Sequence, residues 1–186
     1  EGRIWSAMYF TGVDRVEIAS VAELVLNTFT VDAWIKADDA PHNKKISRVL
    51  AKGVAGANYA LTWHHEAWNK LSQSVSARTS GGWLISSSAR RDSLLGEEWY
   101  NFVGSYDGRE LKIFVDAELR DSKAWIGTPL VDQGGLAIGA MVGGTQGFEG
   151  VIDEVKIYNR ALTGNEITDN FEMAKAMAVE YSMLKL

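Results

Sequence analysis

The sequence predicts an all-β fold, a two-sheet antiparallel sandwich followed by a C-terminal α-helix. Short runs in which apolar and polar residues alternate recur along the chain, as in TFTVDAWIKA at residues 28–37. Turn-forming sequences such as GVAGAN, DQGG and VGGTQG separate the runs. Many short strands at regular spacing, with glycine-rich turns between them, are typical of a sandwich or barrel.

Two stretches carry the strand pattern most clearly. WYNFVGSYDGRELKIFV joins two β-rich runs through Asp107–Gly108, a dipeptide typical of tight hairpins. GVIDEVKIYN, at residues 150–159, alternates as a strand and places Asp153 in an otherwise apolar row. The residues expected in the core are Phe29, Val31, Phe102, Ile113, Val115, Val155 and Ile157.

The C-terminus changes to a helical pattern. Thr163 and Glu166 form a T-x-x-E capping box, which marks a helix start. The apolar residues that follow recur at spacings of three and four, as on one helix face: Ile167, Phe171, Ala174, Ala178 and Tyr181. We therefore divide the chain into a sandwich, 1–162, and a helix, 163–186, which packs on the sandwich or leads to a further domain.

Composition limits the function classes. The formal net charge of −5 argues against nucleic acid as a partner, because no basic excess is available to neutralise phosphates. The chain has no cysteine, which excludes disulfides and thiolate sites, and it has no apolar run long enough for membrane insertion. The first residues, EGRIW, suggest a domain of a longer chain, and we expect that domain to be monomeric.

Four stretches in order resemble the laminin-G-like jelly-roll domains of the concanavalin A-like lectin/glucanase superfamily. They are SAMYFTGVDRVEI, FTVDAWIKA, EWYNFVGSYDGRELKIFVDAEL and FEGVIDEVKIYNRALTGNEI, and they span residues 6–167. The resemblance implies a jelly-roll sandwich in a protein outside the cell or at its surface. The chain departs from the family pattern at Thr11, where the family has Asp, and at Ala117, where it has Gly.

Two carboxylates suggest a metal site. Asp14 and Asp153 each interrupt an apolar row, and an unpaired buried carboxylate is costly, so each needs a partner or a cation. Calcium prefers carboxylate and carbonyl oxygens. The resemblance implies that the two residues lie close together, where a structural calcium is common. The alternative for Asp14 is exposure at a strand start. The alternatives for Asp153 are a salt bridge with Arg3, Arg15 or Arg160, or hydrogen bonds from backbone N–H groups in a turn.

The sequence favours a binding module over an enzyme. It lacks the E-x-D-x-E triplet that glycosidases of this superfamily carry, and it lacks G-x-S-x-G, HExxH and phosphate-loop motifs. Asp153 and Glu154 are adjacent and so cannot form a carboxylate pair on one strand face.

A cluster of aromatic and imidazole groups suggests where a ligand binds. The residues are Trp63, His65, Trp68 and Trp83, all in a region that matches none of the family motifs. We predict that they contact a glycan; packing or incidental exposure is the alternative. The predicted function is a non-catalytic carbohydrate-binding module with a structural calcium. A protein-interaction or adhesion module is the alternative, and a glycoside-active enzyme is a weaker one.

Overall fold

A computed structural model describes residues 7–38, 45–54, 58–66, 70–79, 82–87, 98–130 and 132–183. These residues form β-strands and one C-terminal α-helix, which confirms the predicted fold class. The elements are β1 (Met8–Thr11), β2 (Val16–Ile18), β3 (Phe29–Ala37), β4 (Lys45–Lys52), β5 (Tyr59–Glu66), β6 (Lys70–Thr79), β7 (Gly82–Ser87), β8 (Trp99–Tyr106), β9 (Glu110–Val115), β10 (Glu118–Ala124), β11 (Leu136–Ile138), β12 (Glu149–Tyr158) and α1 (Gly164–Met183).

The strands form two six-stranded sheets. Sheet A has the order β1-β12-β3-β8-β9-β10, and sheet B has the order β2-β11-β4-β5-β6-β7. All the pairings are antiparallel. The chain crosses between the sheets several times, so neighbouring strands within a sheet are often distant in sequence. This topology is that of a jelly-roll sandwich.

The hydrophobic core lies between the two sheets. Phe102 of sheet A stacks on Trp63 of sheet B with ring centroids 5.6 Å apart. Gly104 faces Val75 so closely that a Cβ at position 104 would lie 2.4 Å from a Val75 methyl carbon. The inner faces of the sheets are thus in direct contact, and large side chains on one sheet are matched by small ones on the other. Five of the predicted core residues are fully buried here: Phe29, Val31, Phe102, Ile113 and Val115.

Two hairpins join three consecutive strands of sheet A. The predicted turn at Asp107–Gly108 joins β8 to β9, and Asp107 Oδ1 accepts hydrogen bonds from the backbone N–H groups of Arg109 and Glu110, each at 2.8 Å. The next hairpin joins β9 to β10 through Asp116 and Ala117, whose φ angles are +51° and +63°. Two consecutive left-handed residues form a type I′ turn, which usually contains glycine.

A β-bulge in β12 reverses the predicted face of Asp153. The pairing of β12 with β3 shifts between Asp153 and Lys156, and Glu154 adopts a left-handed conformation with φ +49°. Before the bulge Ile152 faces the core, while Asp153 pairs with Trp34 on the outer face of sheet A. The uniform apolar row expected from period-two alternation is therefore wrong, because the extra residue changes which side chains face inward.

Val155 and Ile157 follow the bulge and pack against the core, but both are half-buried. The prediction that they are largely buried is therefore only partly right. Strand β1 pairs with residues 149–152 of β12, so these two residues lie beyond the stretch that β1 covers. Their outer edge accordingly has less protein around it than the central strands have.

Helix α1 packs on the outer face of sheet A. The predicted capping box forms, since Thr163 Oγ1 accepts a hydrogen bond from Glu166 N and Glu166 Oε2 accepts one from Thr163 N at 2.8 Å. Phe171 stacks on Trp34 with ring centroids 5.4 Å apart, and Ile167 is buried against Val103. The apolar stripe of the helix therefore covers sheet A, leaving sheet B as the sheet whose outer face the helix does not cover.

Candidate functional site

Strand β5 brings Trp63 into the core and not to the surface. The side chain is 0% exposed and stacks on Phe102, so its predicted contact with a glycan is corrected to a packing role. The register places position 65 on the same inward parity as Trp63. The side chains of β5 alternate as predicted. The odd-numbered ones face inward, since Tyr59 and Leu61 lie in the core together with Trp63.

The other two predicted ligand residues have different outcomes. Trp68 lies outside the described residues. The backbone of Trp83 belongs to β7, where the register pairs it with Arg78 of β6. Since Val75 and Ala77 of β6 face the core, position 83 lies on the outer face of sheet B. Its role as a ligand contact stays a prediction.

The outer face of sheet B, called the B face below, has a floor of small side chains. Directly paired residues of antiparallel strands lie on one face, so Thr62 lies between Arg48 and Ser74. The floor residues are each at most 3% exposed: Ala51, Ala60, Thr62, Ser74, Ser76 and Ala137. These small side chains are therefore almost inaccessible to solvent.

Larger side chains border this floor. Ile46 is 43% exposed, Arg48 is half-buried, and Arg78 is exposed. The register adds position 83 beside Arg78. The B face therefore combines buried small side chains with Ile46, Arg48 and Arg78 at its margins.

Arg48 is the most constrained of the marginal residues. Its Nε donates a 2.8 Å hydrogen bond to Oε1 of Gln146, and its Nη1 donates to the hydroxyl of Thr62. Gln146 also accepts a hydrogen bond from the Arg48 backbone N–H at 2.8 Å, and it has a left-handed φ of +55°. Burial lowers the pKa of the Arg48 guanidinium, which nevertheless stays charged at neutral pH. The loop holding Gln146 thus fixes a cation at the margin of the B face.

One floor residue has an unusual environment. Ser76 Oγ is buried and makes no hydrogen bond among the described residues. A buried hydroxyl without a partner costs free energy, and most such groups in folded proteins are satisfied. Ser76 lies on the same face as Arg48, two residues along β6 from Ser74.

Asp14 and Asp153 do not fit as ligands of one cation. The β1–β12 ladder pairs Thr11 with Glu149 at one end and Met8 with Ile152 at the other. The Asp14 carboxylate is held at the first end by the backbone N–H of Thr11, at 3.0 Å, whereas Asp153 follows Ile152 at the second. Three strand residues span about 10 Å, but two oxygens on one calcium lie within about 5 Å of each other.

Each carboxylate instead has a local partner. Hydrogen bonds from the hydroxyl and N–H of Thr11 lower the pKa of Asp14. Asp153 Oδ1 accepts a 2.9 Å hydrogen bond from the Glu154 N–H within the bulge. Among the described residues, no group of three or more histidine or acidic side chains is arranged to hold a metal ion.

Sequence reasoning missed Arg48, Thr62, Ser74 and Ser76. The signal was present in NYALTWH and in SVSA, in which small or polar residues alternate with apolar ones, but a register shift between Arg48 and Leu50 interrupts it in ISRVLAK. The aromatic cluster drew the prediction to Trp63, whose strand neighbours Leu61 and Tyr59 already indicated the inward face. Gln146 could not have been found, since only the folded topology brings its loop to β4.

The sequence profile of one protein family matches residues 10–168, and its description is the concanavalin A-like lectin/glucanases superfamily. The match covers most of the chain. The chain belongs to this superfamily. The resemblance of the four motifs is thereby confirmed, together with the two-sheet antiparallel architecture. None of the curated protein sequences is similar enough to match it.

Solved structures of low sequence identity share the fold of this superfamily member. Domain 4 of AbnA, a GH43 extracellular arabinanase from Geobacillus stearothermophilus solved with arabinotriose, is 21% identical. Its TM-score is 0.65, and the match covers 90% of this chain and 77% of that one. The binding domain of botulinum neurotoxin DC, in complex with SialylT, is 10% identical over 89% of this chain and 41% of that one, with a TM-score of 0.67.

A third similar structure is the binding domain of Paraclostridial Mosquitocidal Protein 1. It is 13% identical, with a TM-score of 0.71 over 92% of this chain and 44% of that one. The superfamily member described here spans less than half of each of these two binding domains. No helix in the described part of the chain has the length and apolar character to cross a membrane.

Proposed function

We propose that this chain is a non-catalytic carbohydrate-binding module and that the B face holds the sugar. The observation that carries the proposal is the margin of the B face, which helix α1 does not cover and where half-buried Arg48 and exposed Arg78 lie, with position 83 paired to Arg78. Hydroxyl and guanidinium groups hydrogen-bond sugar hydroxyls, and an indole stacks on the C–H face of a sugar ring.

The fold and its relatives support a sugar as the ligand. The chain belongs to a superfamily of lectins and glucanases, and similar structures were solved with arabinotriose and with SialylT. The first of these belongs to an extracellular arabinanase, which supports the inference that this module also works outside the cell.

The described chemistry of the B face supports binding without catalysis. Of the side chains described on this face, the one carboxylate is that of Glu17 on edge strand β2. It is paired with Arg15 at 2.6 Å. Glycoside hydrolysis in most families needs two carboxylates across the scissile bond. A module of this kind would hold a polysaccharide for a catalytic domain or for adhesion, and single-site affinity would be weak.

A glycan array tests the proposal. Labelled wild-type chain is compared with Trp83→Ala and Arg78→Ala, which shorten two residues paired on the B face. We expect wild type to bind a defined set of glycans and both variants to lose most of that signal.

Tyr9→Ala is the matched control, because Tyr9 is an exposed aromatic residue on β1 of the other sheet. It should bind as wild type does. Wild-type binding that Trp83→Ala and Arg78→Ala leave intact would move the site away from the B face. Absence of binding across the array would favour a protein-interaction module, and release of reducing sugar would contradict a non-catalytic role.

A further inference from the structure

Asp32 is a buried carboxylate on the outer face of sheet A, where α1 packs. Its strand neighbours Val31 and Ala33 belong to the core, so the Asp32 side chain points to the opposite face. It is 3% exposed, and its Oδ1 accepts a 2.7 Å hydrogen bond from Nδ2 of Asn101. Because this donor is neutral, it offsets only part of the cost of burying a charge.

The cover over Asp32 comes from α1. Trp34, two residues along β3 on the same face, stacks on Phe171 of the helix. Val103, which pairs with Asp32 across the sheet, is buried against Ile167 of the helix. The helix is therefore the element that keeps water from the Asp32 carboxylate.

The cation opposite Asp32 has an acidic partner of its own. Lys156 pairs with Asp32 in the sheet, but its Nζ lies 3.1 Å from Oε2 of Glu154. In the described part of the chain, the hydrogen bond to the Asp32 carboxylate comes from Asn101 alone. The other ionisable groups that β3, β12 and α1 present on this face are Lys36, Asp153, Tyr158, Glu166 and Lys175.

Protonation of Asp32 is therefore coupled to its cover. Burial raises the pKa of Asp32 to about 6, and the hydrogen bond from Asn101 and the charge of Lys156 oppose this effect only in part. A carboxyl that water reaches has a pKa of about 4. The docked state thus binds the proton more tightly than the undocked state, so docking is strongest below about pH 4 and weakens as the pH rises to about 6.

The contact that α1 makes with sheet A is limited. Of its described side chains, Ile167 and Ala174 are buried and Phe171 is half-buried, whereas Met173 and Met177 are exposed. Helices in proteins gain most of their stability from the packing of one apolar face. A single charge beneath this small face is therefore able to shift the docking equilibrium.

We propose that α1 is a pH-sensitive cover of sheet A, which docks firmly when Asp32 is protonated and loosens when Asp32 ionises, while the two sheets stay folded. Asp32 is the switch, and Phe171 on Trp34 is the contact that it works against. The proposal is independent of sugar binding, because it concerns sheet A and not the B face.

Hydrogen exchange of the full chain between pH 4 and pH 8, followed by mass spectrometry, tests the proposal. Each exchange rate is divided by the intrinsic rate at the same pH, which gives a protection factor. We expect protection of α1 to fall by about tenfold or more between pH 4 and pH 7. At each pH, α1 should also be less protected than β3 and β8, because it opens without the sheets.

Variants assign the effect to Asp32. Asp32→Asn keeps the size of the side chain and removes its charge, so protection of α1 should no longer fall with pH. Asp169→Asn, at an exposed position of the helix, should behave as wild type does. Phe171→Ala removes the stacking on Trp34 and should lower the protection of α1 at both ends of the pH range.

Three results would overturn the proposal. The first is protection of α1 in the wild-type chain that does not change with pH. The second is protection of α1 equal to that of β3 and β8 throughout, since the helix would then open only when the whole chain unfolds. The third is a fall in protection that persists in Asp32→Asn.

Discussion

Arg48 Nε lies 2.8 Å from Oε1 of Gln146, which is 98 residues away in sequence. The contact joins central strand β4 to the loop that precedes β12, and it fixes the guanidinium at the margin of the B face. Gln146 makes this contact from a left-handed backbone conformation.

Ala117→Gly should stabilise the protein. Ala117 has a φ of +63° in the turn between β9 and β10, a conformation that glycine adopts without steric cost. The free energy of unfolding should rise by about 1 kcal/mol, as measured by urea denaturation. Ala124→Gly, in the regular part of β10, should give no gain. An equal gain in both variants would contradict the turn argument.

Trp63→Ala should destabilise the fold by about 3–5 kcal/mol. The indole is fully buried and stacks on Phe102, so its removal leaves a cavity between the sheets. Chemical denaturation measures the change, and Trp63→Phe should lose less because it keeps part of the aromatic contact. A folded Trp63→Ala chain with wild-type stability and lost glycan binding would restore the original surface interpretation.

Asp153 and Trp63 illustrate what the sequence could and could not predict. Four ordered motifs and the alternation of strands predicted two sheets, most of the core and the capped helix. They failed where one residue changes parity, as at the bulge after Asp153, since a bulge has no signature in alternation alone. The error at Trp63 was of another kind, because Tyr59 and Leu61 already indicated the inward face of β5 and the prediction followed the aromatic cluster instead.

Asp32→Asn should stabilise the protein at pH 7 and have little effect at pH 4. Burial raises the pKa of Asp32 to about 6, against the lowering effects of an Asn101 hydrogen bond at 2.7 Å and of Lys156. A raised pKa means that the folded chain binds the proton more tightly than the unfolded chain. Stability contributed by this group is therefore full below about pH 4 and falls as the pH rises to about 6.

The expected gain at pH 7 is about 2–3 kcal/mol, since one pKa unit corresponds to about 1.4 kcal/mol. Thermal melts between pH 4 and pH 8 measure it. Asp169→Asn, on the exposed side of α1, is the control and should leave the pH profile unchanged. A profile for Asp32→Asn that runs parallel to that of wild type would show that this carboxyl does not govern the pH dependence.

Chelator should leave the melting temperature unchanged if no calcium is shared by Asp14 and Asp153. The register holds these carboxylates at opposite ends of the β1–β12 ladder, so they do not form one cage. Melting curves with EDTA and with added calcium make the comparison. A drop in melting temperature with EDTA that Asp153→Asn abolishes would establish the calcium site that the family resemblance implies.

The most direct test of the account is to map where a glycan binds. Isotope-labelled chain is titrated with the strongest glycan from the array, and backbone amide shifts are followed by NMR. We predict that the shifts concentrate in β4, β5, β6 and β7 around Arg48, Thr62 and Ser76, with little change in α1. Shifts concentrated instead on α1 and the outer face of sheet A, around Trp34, would contradict the assignment of the B face as the binding site.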